Sequence, residues 1–548
     1  MTASNQAEEE TLQRPADGRV GLPWPRLAGW AGWLGIAGVV AARFAGRAGD
    51  DIYITYRYAY NLAHGRGLVF NVGERVFGVS DPGLALLLAG LHATTGAPIP
   101  ILGTLITAAA LLLIAGILLA AARAAGREAE GWLGGTLLLG SAYLWIGQGA
   151  GPLPALALLL SAAQAADRWP PWRSGVLAGL AFCCRPDAAL GAAALAGLLV
   201  VEARRPATMP PSRRLASRLT RPMVFSAAFA TVAMAAVGIA WAYFGTPLPG
   251  TMIAKRHFAA LAPQVLTGAA FWRNAGELFC YFAGGWPGGQ AFLALGIFGQ
   301  VSLMRGAGRT GRLLVLDGLA SAAFYTAAQL PFFIWYSIPT AVALLYGAPF
   351  MVGAVLRRLD AIPWRQGAAG LARQVALALA GILGAIVLLS ALGGGYRWWS
   401  EDGSDWRLFA YRKAGEWIRA NTPEAADVVF DEVGILGYYG DRTVEDLIGL
   451  VSPRSRPFAA VGDPLGAFLA KPTDLVLFHT YNRRGGTRPI LVRPWFAGAY
   501  EEVAVISDPS AHAETRIYRR RPGTLVPPPR PPWRRPRPPA AREPTPSP

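Results

Sequence analysis

The sequence predicts a polytopic α-helical membrane protein with a smaller α/β domain after its last span. Three observations carry that prediction. Apolar residues come in blocks of about 20 with few charges, the length a helix needs to cross a bilayer. Composition agrees: 53% of the 548 residues are hydrophobic, only 16% are charged, and mean hydropathy is +0.32. The basic residues are 48 arginines and three lysines (Lys255, Lys413 and Lys471), and the arginines gather in short loops between apolar blocks and at the C-terminus. Basic loops beside apolar spans are the orientation signal of a polytopic protein, so the net charge of +17 marks membrane topology rather than nucleic-acid binding. A soluble enzyme, a disulfide-stapled secreted domain and a disordered scaffold are excluded. Cys183, Cys184 and Cys280 lie in apolar surroundings without metal or disulfide spacing.

In chain order, residues 1–26 form a cytoplasmic tail, and the first apolar run reads as a retained anchor. Candidate spans follow at 27–45, 82–96, 100–122, 131–148, 152–166, 174–201, 223–244, 274–303, 313–331, 333–355 and 371–393, about 11 within residues 27–393. Residues 204–221 hold six arginines and no acid, while 305–312 and 357–365 hold three each; all three loops read as cytoplasmic. Counting from them places loops 46–81 and 245–273, and everything after 394, outside. Residues 394–521 alternate β-rich runs (427–430, 474–478 and 503–506) with helical stretches, one from about Leu408 to Ala420 stopped at Asn421-Thr422-Pro423. Residues 522–548 hold twelve prolines and read as an extended basic tail. No internal repeat of a transporter is visible.

The first outer loop carries the chemistry. Asp50-Asp51 directly follows a span, where adjacent carboxylates are costly unless solvated or used. They open a helical stretch through His64 that sets Tyr53, Tyr56 and Tyr60 on one face with Arg57, Asn61 and His64 beside it, and Gly65-Arg66-Gly67 stops it. The second outer loop offers Lys255-Arg256-His257 after a proline-rich turn, a suitable cationic cluster for phosphate and equally a snorkelling cluster. Arg185 interrupts an apolar stretch with Asp187 as nearest partner, and an intramembrane charge is functional by default. Trp335 and Tyr336 are aromatic enough to stack on a sugar ring.

The stretch from Asp50 to Leu62, continuing from Gly67 to Val76, resembles the first outer loop of a GT-C superfamily branch. That branch holds polyprenyl-phosphate-sugar-dependent glycosyltransferases, including terminal arabinofuranosyltransferases of mycobacterial cell walls. Four further segments match it in order: Cys184-Arg185-Pro186-Asp187; Tyr243 to Thr251 with Lys255; Trp335-Tyr336 before Pro339; and Gly434 to Tyr439 with Asp441-Arg442, Asp446 and Gly449 to Pro453. The chain departs where relatives usually carry Glu-Gly-Tyr-Thr, reading Phe77-Gly78-Val79-Ser80. It also departs at a Gly-Leu-Glu, reading Gly149-Ala150-Gly151-Pro152-Leu153, with Gln148 the nearest polar substitute.

The resemblance implies inverting sugar transfer from a polyprenyl-phosphate donor to a cell-envelope glycan or glycolipid acceptor. The setting it implies is the outer face of a bacterial plasma membrane, with no nucleic-acid partner. It implies Asp50 or Asp51, not separable from sequence, as catalytic base. Lys255, Arg57, Arg185 and His257 are implied to bind the donor phosphate, and Tyr53, Tyr56, Trp335, Tyr336 and Glu74 the substrates. No metal motif or cofactor is implied, although an aspartate pair is a weak oxygen-ligand set for a divalent cation. The alternatives are a lipid-linked-sugar flippase and an inactive scaffold of the same fold.

Overall fold

The computed structural model describes residues 24–202, 211–261, 268–362, 368–400, 407–480, 486–508 and 513–528; the first 23 residues and most of the proline-rich tail lie outside these. The helices run α1 (Trp24–Phe44), α2 (Asp50–Ala63), α3 (Pro82–Thr95), α4 (Ile99–Ala124), α5 (Glu128–Gly140), α6 (Pro152–Arg168), α7 (Pro171–Cys184), α8 (Ala188–Glu202) and α9 (Pro211–Phe244). They continue as α10 (Thr251–Leu261), α11 (Ala269–Phe282), α12 (Gly288–Gly306), α13 (Gly308–Ala328), α14 (Ile338–Asp360) and α15 (Ala368–Ser400). Among the described residues five segments are long and apolar enough to cross a bilayer unaided: 26–44, 99–124, 219–244, 334–360 and 370–394. Alanine, leucine and glycine fill the bundle core. Gly296 and Gly299 of α12 press against the Leu344 and Gly347 carbonyls of α14. Apolar burial alone does not drive helices together in lipid, so such close small-residue packing matters there.

The ends of the bundle differ in chemistry. At one end charges pair across helices, with Arg309 on Asp167 (2.6 Å) and Glu202 (2.5 Å), Arg312 on Glu202 (2.7 Å), and Arg357 on Glu130. The opposite end carries α2, α10 and the α/β unit.

Three of the expected spans take another form in the structure. The 82–96 run forms α3, which stays at the α2 end: Gly83 packs on the Cys183 carbonyl, His92 lies 5.6 Å from His64, and the chain then meets Gly46 through Pro100. At about 1.5 Å per residue its 14 residues reach only ~21 Å, short of a ~30 Å hydrocarbon core. Apolarity alone misled there, because the run buries itself against α2. The 174–201 run is two antiparallel helices. Gly175 and Gly179 of α7 pack on Phe225 and Val232 of α9, Gly191 of α8 meets Leu159 and Asp317, and Glu202 reaches the ion-paired end. The chain reverses at Arg185-Pro186-Asp187, where proline denies a helical N–H and the flanking charges bond each other. The 274–303 run likewise breaks into α11 and α12, with Gly284 of the connection against Ser390.

After α15 come α16 (Arg407–Asn421), β1 (Asp427–Val429), α17 (Gly434–Gly440), β2 (Thr443–Glu445), α18 (Pro464–Ala470), β3 (Leu475–His479), β4 (Tyr500–Asp508) and β5 (Ala513–Arg520). The sheet order is β2-β1-β3-β5-β4, with β1, β2 and β3 parallel and β5 antiparallel to β3 and β4. The sequence located β1, β3 and β4. It missed β2, only three residues long, and β5, whose Ala-Glu-Thr-Arg-Ile-Tyr-Arg-Arg shows little apolar alternation.

Helix α2 is buried on nearly every side, and Tyr56 is its tightest contact. The ring has no exposure, and its hydroxyl has no hydrogen-bond partner among the described residues. A Cβ at Gly103 of α4 or at Gly149 would collide with that hydroxyl, and Gly149 also has φ +76°. Gly103→Ala should therefore lose about 1–3 kcal/mol, the usual cost of overpacking. Adding Tyr56→Phe should recover part of it, read as thermal unfolding in detergent; equal unfolding temperatures for the single and double variants would refute the wedge.

Candidate active site

Helix α2 begins at Gly49 and delivers its first two aspartates to different places. Asp50 is 2% exposed, and its carboxylate accepts the backbone N–H groups of Gly434 (3.0 Å) and Ile435 (2.8 Å), the first turn of α17. A Cβ at Gly434 would strike the Asp50 carbonyl, so glycine is required for that approach. Asp51 points the other way, into an open cleft of about 440 Å³, where it meets the Lys255 ammonium at 3.3 Å. The sequence could not separate this pair; the structure makes Asp50 a latch between the bundle and the α/β unit.

Arg57 is the second latch. Its guanidinium donates to the Phe70 carbonyl (2.7 Å), the Arg442 carbonyl (2.6 Å) and the Gly437 carbonyl, and lies 4.5 Å over the Phe70 ring. Burial pulls its pKa down to about 10. Every donor group faces a carbonyl, so the phosphate-binding role expected for Arg57 does not fit. The same holds for three expected substrate contacts. Tyr53 donates to the Gly46 carbonyl (2.8 Å), Tyr56 is the wedge described above, and Glu74 accepts from Arg454 (2.6 Å) and Asn71 (3.1 Å). None of the three lines the cleft: Tyr53 and Glu74 pack toward the first loop and the α/β unit, and Tyr56 toward α4 and Gly149.

The cleft collects Asp51, Thr55, Asp81, Arg185, Lys255 and Trp335. Lys255 projects from α10 into an aromatic corner, 3.9 Å over Phe333, 5.1 Å over Trp335 and 5.5 Å over Tyr336. Burial would lower its pKa, but Tyr336 and Asp51 outweigh that and leave the ammonium above its ordinary range. Arg185 makes a bidentate pair with Asp187 (2.9 and 3.0 Å) and donates to the Tyr325 hydroxyl at 3.3 Å. Tyr325 donates to Asp187 and stacks on Tyr336 at 4.3 Å. Of the expected set, then, Asp51, Lys255, Arg185, Trp335 and Tyr336 come together. His257 lies on α10, and its side chain falls outside the described residues. Among the described residues no group of three or more His, Cys, Asp or Glu is placed to hold a metal.

Sequence reasoning missed Asp81. It is 5% exposed, precedes Pro82 at the head of α3, and accepts from the Thr55 hydroxyl (2.5 Å) and the Gly151 N–H (3.1 Å). Burial pushes its pKa above the usual carboxylate range, against the Thr55 bond and Arg185. The available signal was Asp-Pro at a helix start, hidden because the apolar run after it reads as a span. Where the resemblance led us to expect an acid, Phe77 stacks on Phe244 (4.6 Å, 4°) and its carbonyl accepts from the Gly250 N–H. Gln148 is turned away to the Phe44 carbonyl (2.7 Å).

On the opposite flank of the Trp335–Ser337 turn lies a larger, open apolar cavity walled by Tyr143, Trp272, Phe279, Leu293 and Leu344 among others. Ile297 and Leu319 at its edge are exposed on the bundle's outer surface.

Comparison with solved structures places the fold. ArnT from Cupriavidus metallidurans bound to undecaprenyl phosphate superposes with a TM-score of 0.51 at 14% identity, over 89% of this chain and 98% of that one. The chain has the GT-C membrane fold. The apo state of the same ArnT matches equally (TM-score 0.51, 12% identity, 90% and 98%). An oligosaccharyltransferase from Archaeoglobus fulgidus gives a TM-score of 0.46 at 13% identity, over 88% and 73%. Residues 403–521 match a domain family of unknown function, DUF8728. No curated protein matches the sequence.

The latch makes a prediction. Asp50→Asn leaves one oxygen to serve two N–H groups and turns an NH₂ toward them, at a cost of about 1–3 kcal/mol. Limited proteolysis should then release the 407–520 unit faster than from wild type. Unchanged cleavage would show that Asp50 does not hold that unit.

Proposed function

We propose that the chain is an inverting membrane glycosyltransferase that moves a sugar from a polyprenyl-phosphate donor to a cell-envelope glycan or glycolipid acceptor. The sequence resemblance favours arabinofuranose as that sugar. The observation that carries this reading is the cleft, where Lys255 and Arg185 stand beside Asp51 and Asp81 at the end of the bundle covered by the α/β unit. Transfer needs cations for the leaving phosphate, a carboxylate for the acceptor proton, and access from both lipid and water. Lys255, an ammonium on an aromatic wall, and Arg185, fixed by Asp187, supply the cations. Both are already paired, so the incoming phosphate completes their coordination without leaving a bare buried charge when the site is empty.

The donor's isoprenoid chain occupies the apolar cavity between α11 and α14. That cavity and the charged cleft share the Trp335–Ser337 turn, which suits a molecule with an apolar tail and a phosphate head. Trp335, half inside the cleft, stacks on the sugar.

The arginine-rich loops 204–221, 305–312 and 357–365 face the cytoplasm in this reading, and the cleft faces outward from a bacterial plasma membrane. Reporters fused after Leu248 and after Asn421 should both signal an extracytoplasmic position; a cytoplasmic signal at either refutes the orientation.

The reading is tested by incubating purified protein with a panel of polyprenyl-phosphate sugars and a saccharide acceptor. Sugar transfer supports it. Folded protein that transfers none, or that moves lipid across vesicles without transfer, overturns it. Within an active preparation, Lys255→Ala should raise the donor KM roughly 10- to 100-fold, as losing one charge-assisted contact of about 1.5–3 kcal/mol does, with little change in acceptor KM. An unchanged donor KM would place the phosphate elsewhere.

A further inference from the structure

Counting charges around the cleft leaves one carboxylate over. Lys255 is paired with Asp51 at 3.3 Å, and Arg185 with Asp187 at 2.9 Å. Asp81 lines the same cleft, and among the described residues it carries no ion pair. Its two oxygens instead each accept one neutral hydrogen bond, from the Thr55 hydroxyl on α2 and from the Gly151 N–H at the head of α6. Those bonds fix the plane of the carboxylate and leave a lone pair free on each oxygen. Thr55 lies one helical turn beyond Asp51, about 5–6 Å away on the same face of α2 by helix geometry, and the acid it holds therefore lines the same cleft as Asp51.

Resting on the glycosyltransferase reading, we propose that Asp81 is the catalytic carboxylate that takes the acceptor proton, and that Asp51 is a positioning residue for Lys255. In the step, the acceptor hydroxyl oxygen bonds to the anomeric carbon as the bond from that carbon to the phosphate oxygen breaks. The bonding pair leaves with the polyprenyl phosphate, which gains one negative charge beside Lys255 and Arg185. The hydroxyl proton passes to Asp81 and from there to water. Asp51 is poorly placed for this work. Its oxygen is held by the ammonium on which the phosphate must land, so acceptor and leaving group would compete for one spot. Asp81 has a rigid carboxylate, no ion-pair partner among the described residues (Arg185, which acts on it from across the cleft, is paired with Asp187), and a desolvated setting that strengthens its hold on a proton.

The experiment compares kcat, donor KM and the pH profile of the full-length wild type with three variants. Asp81→Asn should lower kcat by about 10²–10⁴-fold and abolish the acid limb of kcat/KM. Asp51→Asn should move the donor KM more than kcat and keep that limb. Thr55→Val removes a bond that favours the ionised carboxylate, so it should shift the acid limb to higher pH while turnover above the limb persists. A role in folding alone would change the unfolding temperature without moving the limb. An inactive wild type sinks the glycosyltransferase reading and this assignment together. An active wild type whose Asp81→Asn variant keeps kcat and the limb sinks the assignment alone. Should Asp81→Asn fail to fold, Thr55→Val decides, and an unmoved limb overturns the proposal.

Discussion

Everything at the cleft depends on the desolvated junction between α2 and α17. Asp50 and Arg57 sit about two turns apart on α2 and grip the same short helix, the carboxylate on its first N–H groups and the guanidinium on its Gly437 carbonyl and on the Arg442 carbonyl just beyond its end. Unpartnered backbone groups in such a place are expensive, so Asp50 satisfies the first N–H groups of α17 while Arg57 fixes its distance. Gly434 and Gly437 permit the approach, since a side chain at either would meet Asp50 or Arg57. With α17 seated, the Ile448–Val451 turn behind it is held by the Asp446 carboxylate and brings Leu450 to the cleft wall. The α/β unit is therefore part of the site's wall.

Much of this was legible in the sequence, for identifiable reasons. Long apolar runs become buried or lipid-facing helices wherever length suffices, as in α4, α9, α14 and α15. The runs at 82–96 and 174–201 differed because a hydropathy window does not register where a helix turns back, and Arg185-Pro186-Asp187 was read as a charge within a span rather than as its end. The pairing of Arg185 with Asp187 was visible in their spacing. The separation of Asp50 from Asp51 was not, since adjacent helix positions diverge by about 100° and only the partner surfaces decide which one meets water.

Residue type also misdirected. Arginine beside aspartates in a first loop suggests an anion site, yet Arg57 is consumed by three main-chain carbonyls that no local pattern reveals, because Gly437 and Arg442 lie 380 and 385 residues away. Lysine draws the eye to the cleft instead. In a chain with 48 arginines, the three lysines stand out, and Lys255 is the one placed on an aromatic wall at the cleft.

The stacked pair of Phe77 and Phe244 has a bearing on how such proteins are recognised. It fills with two rings the position where the sequence resemblance led us to expect a negative charge, while Asp81, four residues on, brings one to the cleft wall from the start of the next helix. A pattern written column by column would score this chain as lacking an acid. Written as the number of carboxylates that face a common volume, it would count Asp81 as well as Asp51. Ancestry and retained chemistry are then best judged by separate criteria, the first on aligned letters and the second on where the charge ends up in space.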